Sequence, residues 1–272
     1  MVVEINWPLA HDTWDNKERD AMNEVIASGR FTFGEKVKKF EDEFCEYFGF
    51  PYAVQVNSGG SANLLMVAVA VERGWISRGD KVIVPAIGWS TSYFPFIQYG
   101  IDLIFVDVDD NLLFDIDDYY EKRKWRCERY SDGGITPVLM PILYGGVSNI
   151  PGFDNIEGGY NEIVIADSAH CVTPTIKCDF SFFSFHPYKP ICSSDGGMIS
   201  TNDLEATEYF QNYRNFGRQN INGSYDITQE GFKFYMNNLN ATIALISLKK
   251  YKKDLEIRKN NYSKLDNVLP HD

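Results

Sequence analysis

Apolar positions along this chain fall into short dense runs separated by longer stretches with helical spacing. Lys36 to Tyr47 places Val37, Phe40, Phe44 and Tyr47 on one face of a helix, and Glu18 to Ala27 reads the same way. "YAVQV" then predicts a strand, "NSGGS" a turn, and Ala62 to about Glu72 a helix. "KVIVPA", "DLIFVDVD", "TPVLMPILYG", "EIVIADSA", "DFSFFSF" and "GGMIST" predict six more strands, with a helix at "STSYFPFIQY" after the first of these. Strands rich in Val, Ile and Phe on both faces, separated by helices, predict an α/β fold with a mostly parallel sheet covered by helices on both faces. From about Asn238 the positions Leu239, Ile243, Ile246, Tyr251 and Leu255 predict one long amphipathic helix running to about Leu265. A helix of that length needs a surface to pack on. The expected organisation is a large α/β domain over 1–237, then a long helix in 238–272 leading to an incomplete C-terminal small domain.

Composition narrows the function classes. Of 272 residues, 44% are hydrophobic and 24% charged, which fits a globular protein; the net charge of −12 argues against a binder of nucleic-acid backbones. The late helix carries a basic cluster, Lys249 to Lys253 with Arg258 and Lys259, which does not offset that charge. "MVVEINWPLAHDTW" lacks a cationic stretch followed by an apolar one, and the longest apolar run, Leu64 to Val71, is too short for a bilayer. A cytoplasmic protein without membrane or nucleic-acid partners is expected. Cys45, Cys127, Cys171, Cys178 and Cys192 read as reduced thiols, and Cys171, Cys178 and Cys192 lack zinc-site spacing and read as small hydrophobes; no metal is expected.

Four stretches at predicted strand ends carry candidate chemistry, the position where a parallel sheet presents its ligand. In "VNSGGSANLL" a strand meets Asn57 to Ser61 before a helix, where glycines and the free N–H groups of the helix start favour a phosphate; an ordinary turn would look the same. Trp89 follows a strand and precedes a helix, placed either to pack in the core or to lie flat on a planar ligand. Asp167 ends the apolar run "IVIAD", where it either caps a backbone turn or pairs with a protonated heterocycle, and His170 lies three residues on. Lys189 sits between Pro187 and Pro190, after the strand that ends near Ser184. Partial enclosure would lower its pKa and free its amine as a nucleophile; a solvated surface lysine is the alternative. Taken together, a phosphate cradle, a stacking ring, an acid for a pyridine nitrogen and a lysine for an aldehyde are what pyridoxal 5′-phosphate (PLP) requires.

The order of these motifs resembles the DegT/DnrJ/EryC1/StrS family of PLP-dependent sugar-nucleotide aminotransferases over nearly the whole chain. "SGRFTFGEKVKKFEDEF" is similar to the family's N-terminal segment, "VNSGGSANL" to its phosphate turn N-S-G-T-x-A-L, and "GDKVIVPAIGWSTSY" and "FVDVD" to its next strands. "DSAH" matches D-x-A-Q/H, "FSFHPYK" with "SDGG" matches F-S-F-x-x-x-K with G-E-G-G, and "GFKFYMNNLNATIAL" follows G-x-N-x-R-M-x-x-x-Q-A-A-I-G. The resemblance implies the PLP-dependent transferase fold type I, aspartate aminotransferase-like, with its C-terminal small domain missing here.

It also implies roles. Lys189 would bind the cofactor's aldehyde, Asp167 would pair with the pyridine nitrogen, His170 would approach the phenolic oxygen, and Trp89 would stack on the ring. Gly60, Ser61 and Ser184 would hold the phosphate. The family's asparagine, which reaches the cofactor phosphate of a neighbouring subunit, is replaced by Lys233, and its arginine by Tyr235. The family's threonine in the phosphate turn is Gly60 and its glycine before the acid is Ser194. The implied activity moves an amino group from an amino acid, expectedly glutamate, to a keto-sugar nucleotide in amino-sugar or surface polysaccharide biosynthesis. A homodimer with composite active sites goes with it. Two alternatives stand beside this. Sugar dehydratases of the same family carry histidine in place of the lysine, which Lys189 argues against; His186 is near but at another position. A truncated, non-catalytic relative that binds cofactor or a partner chain is the other.

Overall fold

The computed structural model describes residues 14–129, 138–153, 163–221 and 223–268. The expectations drawn from the opening segment 1–13, from Thr136 and Pro137, from the Cys127 side chain and from the last four residues lie outside that description.

The centre is a seven-stranded sheet in the order β1-β7-β6-β5-β4-β2-β3. Its strands are β1 (Tyr52–Val56), β2 (Lys81–Pro85), β3 (Asp102–Val106), β4 (Val138–Leu139), β5 (Ile163–Asp167), β6 (Phe180–Ser184) and β7 (Gly197–Thr201). The β2–β3, β2–β4, β4–β5 and β5–β6 pairs are parallel, and β7 runs antiparallel to both β1 and β6. The expected mostly parallel sheet is therefore present, and it aligns the carboxyl ends of β1, β2, β5 and β6 along one edge.

Helices cover both faces: α1 (Asn16–Ser28), α2 (Glu35–Phe48), α3 (Gly59–Glu72), α4 (Ser90–Gln98), α5 (Ile116–Arg129), α6 (Leu204–Tyr213) and α7 (Asn238–Asp266). The two-residue period of a strand divides the core. Phe180 and Phe182 join Val54, Val82, Ile165 and Ile199 beneath α3 and α6. Phe183 and Phe185, on the opposite face, pack with Phe40 and Phe44 of α2 and Ala241, Ala244 and Leu248 of α7. A third cluster joins Ile83 and Ala166 to Phe114 and Tyr119.

The predicted stripe of α7 is shifted slightly. Ile243 and Tyr251 are buried as expected, but Leu239 and Ile246 are half-buried, and Ala241, Ala244 and Leu248 form the contact instead. Three features lie outside the sequence expectations: α5, α6 and the exposed hairpin of β8 (Arg218–Ile221) with β9 (Ser224–Ile227).

A buried polar knot ties the layers together behind the site. Arg214, which caps α6, donates from Nη1 to Glu41 Oε1 on α2 at 2.5 Å and to the Gln55 carbonyl at 2.6 Å. Gln55 in turn donates its backbone N–H to Glu41 and accepts the Met236 N–H on its side-chain oxygen. All three side chains are almost wholly buried. The segment Phe232 to Met236 is thereby fixed against β1, with Asn57 N donating to the Phe234 carbonyl at 2.6 Å.

Candidate active site

Every predicted site residue except Lys233 ends or follows one of the strands β1, β2, β5 and β6, at the carboxyl edge of the sheet. Ser58 caps α3, its Oγ accepting the Ser61 N–H at 3.0 Å and donating to Ser61 Oγ at 2.9 Å. The Ser61 amide, expected at the phosphate, is thus engaged by the cap. The amides of Gly59 and Gly60 stand in the first turn, ahead of any intrahelical acceptor. A Cβ on Gly59 would stand 2.8 Å from Ser184 Cβ, so glycine is what lets the helix start abut the end of β6. Gly60 faces Thr91 of α4 with room to spare, a hypothetical Cβ coming no closer than 3.7 Å. The starts of α3 and α4 and the Ser184 hydroxyl therefore converge, a concentration of donors and positive helix ends suited to an anion.

Asp167 ends β5 with only 4% of its surface exposed. Its Oδ2 accepts from Ser92 Oγ at 2.5 Å and its Oδ1 from Ala169 N at 3.0 Å. Burial raises its pKa above the ordinary carboxylate value; the Ser92 and Ala169 hydrogen bonds and the Lys189 charge work the other way. Tyr93 also feels this carboxylate: burial, with the Asp167 charge added, pushes its phenol up to about 12.

Lys189 follows a tight turn in which its N–H donates to the His186 carbonyl at 2.9 Å, with Pro187 fixing the turn's second residue. The half-buried amine sits below the ordinary lysine range because desolvation outweighs the Asp167 charge. His186 turns edge-on to Tyr188, ring centroids 4.4 Å apart. His170 accepts the Gly145 N–H on Nδ1 at 3.3 Å and lies 5.6 Å from the Tyr144 ring. Desolvation, then the Lys189 charge, lowers its pKa, and the Gly145 N–H on Nδ1 places the proton of the neutral ring on Nε2.

Trp89 is the N-cap of α4 and 73% exposed, an open indole face three residues before Ser92. Lys233, one residue before the Phe234 carbonyl that accepts the Asn57 N–H, is exposed; its Nζ lies 6.0 Å from the Tyr235 ring centre, and its backbone bridges to Asn215. Ser194, where the resembling family has glycine, adopts φ 70°, the left-handed conformation that glycine tolerates without strain. The sequence reading did not single out Ser92, Thr91 or Asn63. Among the described residues no group of three or more His, Cys, Asp or Glu side chains is arranged to hold a metal, and no helix is long and apolar enough to cross a membrane.

The profile of the DegT/DnrJ/EryC1/StrS aminotransferase family matches residues 12–271. The chain belongs to this family. Among family relatives, GDP-4-keto-6-deoxy-D-mannose 3-dehydratase of Yersinia pseudotuberculosis is 34% identical over 289 residues, covering 95% of this chain and 70% of that protein. The 3-dehydratase of Escherichia coli O55:H7 is 35% identical, covering 94% and 71%. A crystal structure of the 3-dehydratase ColD with bound GDP-perosamine superposes at a TM-score of 0.82, with 29% identity over 95% of this chain and 72% of that one. The E. coli 3-dehydratase with bound hydrated PLP gives 0.79 at 30% identity, covering 95% and 71%. The fold is accordingly that of the type I PLP-dependent enzymes.

Proposed function

We propose that this DegT-family protein is a PLP-dependent aminotransferase that moves an amino group from an amino acid, glutamate first among candidates, to a keto-sugar nucleotide. The observation that carries this reading is Lys189: a half-buried amine of lowered basicity, held by a proline turn within electrostatic reach of Asp167 and His170. The residues fit PLP. A glycine-lined anion cradle, an open indole and a buried carboxylate are spaced along one sheet edge, and a Cβ on Gly59 would close the cradle against Ser184.

Bound PLP supplies an electron sink that lets a proton leave and return at carbon. The Gly59 and Gly60 amides, with the Ser61 and Ser184 hydroxyls, hold the phosphate. Asp167 keeps the ring nitrogen protonated, and its burial, which strengthens that pairing, excludes water. Trp89 covers the ring, and His170 offers Nε2–H to the phenolic oxygen. Lys189 is the residue that would hold the cofactor's aldehyde, and its amine, of lowered basicity, would take and return the proton at the donor carbon as base and then acid. GDP-4-keto-6-deoxy-D-mannose is the acceptor to try first, because relatives at 34% and 35% identity are named for it. A homodimer in which Lys233 reaches the partner's cofactor phosphate belongs to the same reading.

Those names also favour a second reading, 3-dehydration of that sugar. It requires the work that dehydratases of the family assign to histidine to be done by Lys189, because His186 is turned toward Tyr188. The site is tested by borohydride reduction of the protein loaded with PLP, followed by peptide mapping. Label is expected on the peptide that carries Lys189; label on another lysine contradicts the assignment.

A further inference from the structure

α4 contains a proline at its sixth position, Pro95. Proline has no N–H, so the carbonyl four residues earlier, on Thr91, loses its helical partner. The Asn63 side chain fills that gap. Its Nδ2 donates to the Thr91 carbonyl at 2.9 Å and to the neighbouring Ser92 carbonyl at 3.0 Å. Asn63 is wholly buried on α3, one turn beyond the glycines of the anion cradle. Two carbonyl acceptors fix which way its amide faces, leaving its own oxygen buried without a partner. The residue whose backbone Asn63 holds, Ser92, is itself 2% exposed and donates to Asp167 Oδ2.

We infer that Asn63, Pro95 and Ser92 form one positioning unit that aims the Asp167 carboxylate and couples it to the anion cradle. This rests on Asp167 being the partner of the cofactor's ring nitrogen. Pro95 frees a carbonyl that a normal helix would satisfy internally. Asn63 takes it up and locks the first turn of α4 to the first turns of α3. That lock sets both the indole of Trp89 and the hydroxyl of Ser92. With Ser92 donating to one carboxylate oxygen and Ala169 N–H to the other, the group cannot rotate, and its remaining lone pairs keep a fixed direction. None of these three residues needs to touch the cofactor.

The test uses the full chain loaded with PLP, in wild type, Ser92→Ala, Ser92→Thr, Asn63→Ala, Pro95→Ala and Asn63→Ala with Pro95→Ala. Ser92→Ala should slow the half-reaction with glutamate about tenfold, the loss of one hydrogen bond to a charged group, while KM for glutamate holds. The pH at which the bound cofactor's visible absorption titrates should move upward, because less positive charge stays on its ring nitrogen. Ser92→Thr should restore both readings. Asn63→Ala should act in the same direction, and its effect should shrink beside Pro95→Ala, which returns an N–H to the Thr91 carbonyl. An unchanged titration and rate in Ser92→Ala overturns the inference even if Asn63→Ala fails to fold. An Asn63→Ala effect of the same size with and without Pro95 also overturns it. Wild type that gains no visible absorption with PLP contradicts the proposed function itself, and this inference with it.

Discussion

Asp167 shows how much of a site can be read from single residues and where that reading stops. A carboxylate closing an apolar strand is conspicuous in sequence, and so is a lysine between two prolines; both lie on the sheet edge where the ligand of such a fold belongs. Ser92 and Asn63 were not legible, because nothing in a serine or an asparagine within a helix tells which carbonyl or carboxylate it will meet across the core. The buried carboxylate also carries a stability consequence. Asp167 binds its proton more tightly in the folded chain, since burial raises its pKa above the ordinary 3.8. Its favourable contribution is therefore full below that ordinary value and is lost as pH rises through the raised one. Asp167→Asn removes this dependence. The cofactor-free variant should gain stability relative to wild type on going from acid to neutral pH, read as the shift in denaturation midpoint at each. A stability difference that stays constant with pH contradicts the assignment.

At the scale of elements, legibility followed burial. β1, β2, β6 and β7 were drawn with nearly correct limits because their side chains alternate between two packed clusters. α5 was missed because nine of the 14 residues in "IDDYYEKRKWRCER" are charged, α6 because Ala206 and Thr207 carry half of its buried face, and the β8–β9 hairpin because β9 buries nothing. The knot of Glu41, Gln55 and Arg214 joins α2, β1 and α6 across long stretches of sequence, which no local pattern records. Removing Arg214 strips the buried Glu41 of its cation, and removing Glu41 leaves the Arg214 charge buried with only the Gln55 carbonyl as partner. Arg214→Ala and Glu41→Ala should each lower unfolding free energy by about 3–5 kcal/mol, and the double variant should lose much less than the sum. Additive losses in equilibrium denaturation would contradict a coupled pair.

For the molecule as a whole, the surface around α4 bears on assembly. Trp89, Phe94, Ile97 and Phe105 are 73%, 52%, 54% and 48% exposed, an apolar concentration uncommon on a monomer. The proposed homodimer should sediment as a dimer at micromolar concentration with PLP bound, and a monomer under those conditions contradicts it. The family was legible along most of the chain because several of its motifs lie at strand ends in a fixed order. The choice between amination and dehydration rests in the sequence on one residue, Lys189, while relatives at 34% and 35% identity are named as dehydratases. One measurement addresses that choice most directly: mass analysis of the nucleotide sugar after incubating the PLP-loaded protein with GDP-4-keto-6-deoxy-D-mannose and nitrogen-labelled glutamate. Labelled nitrogen in place of the carbonyl oxygen is the expected result; a product that has lost one hydroxyl oxygen and carries no label would contradict the account.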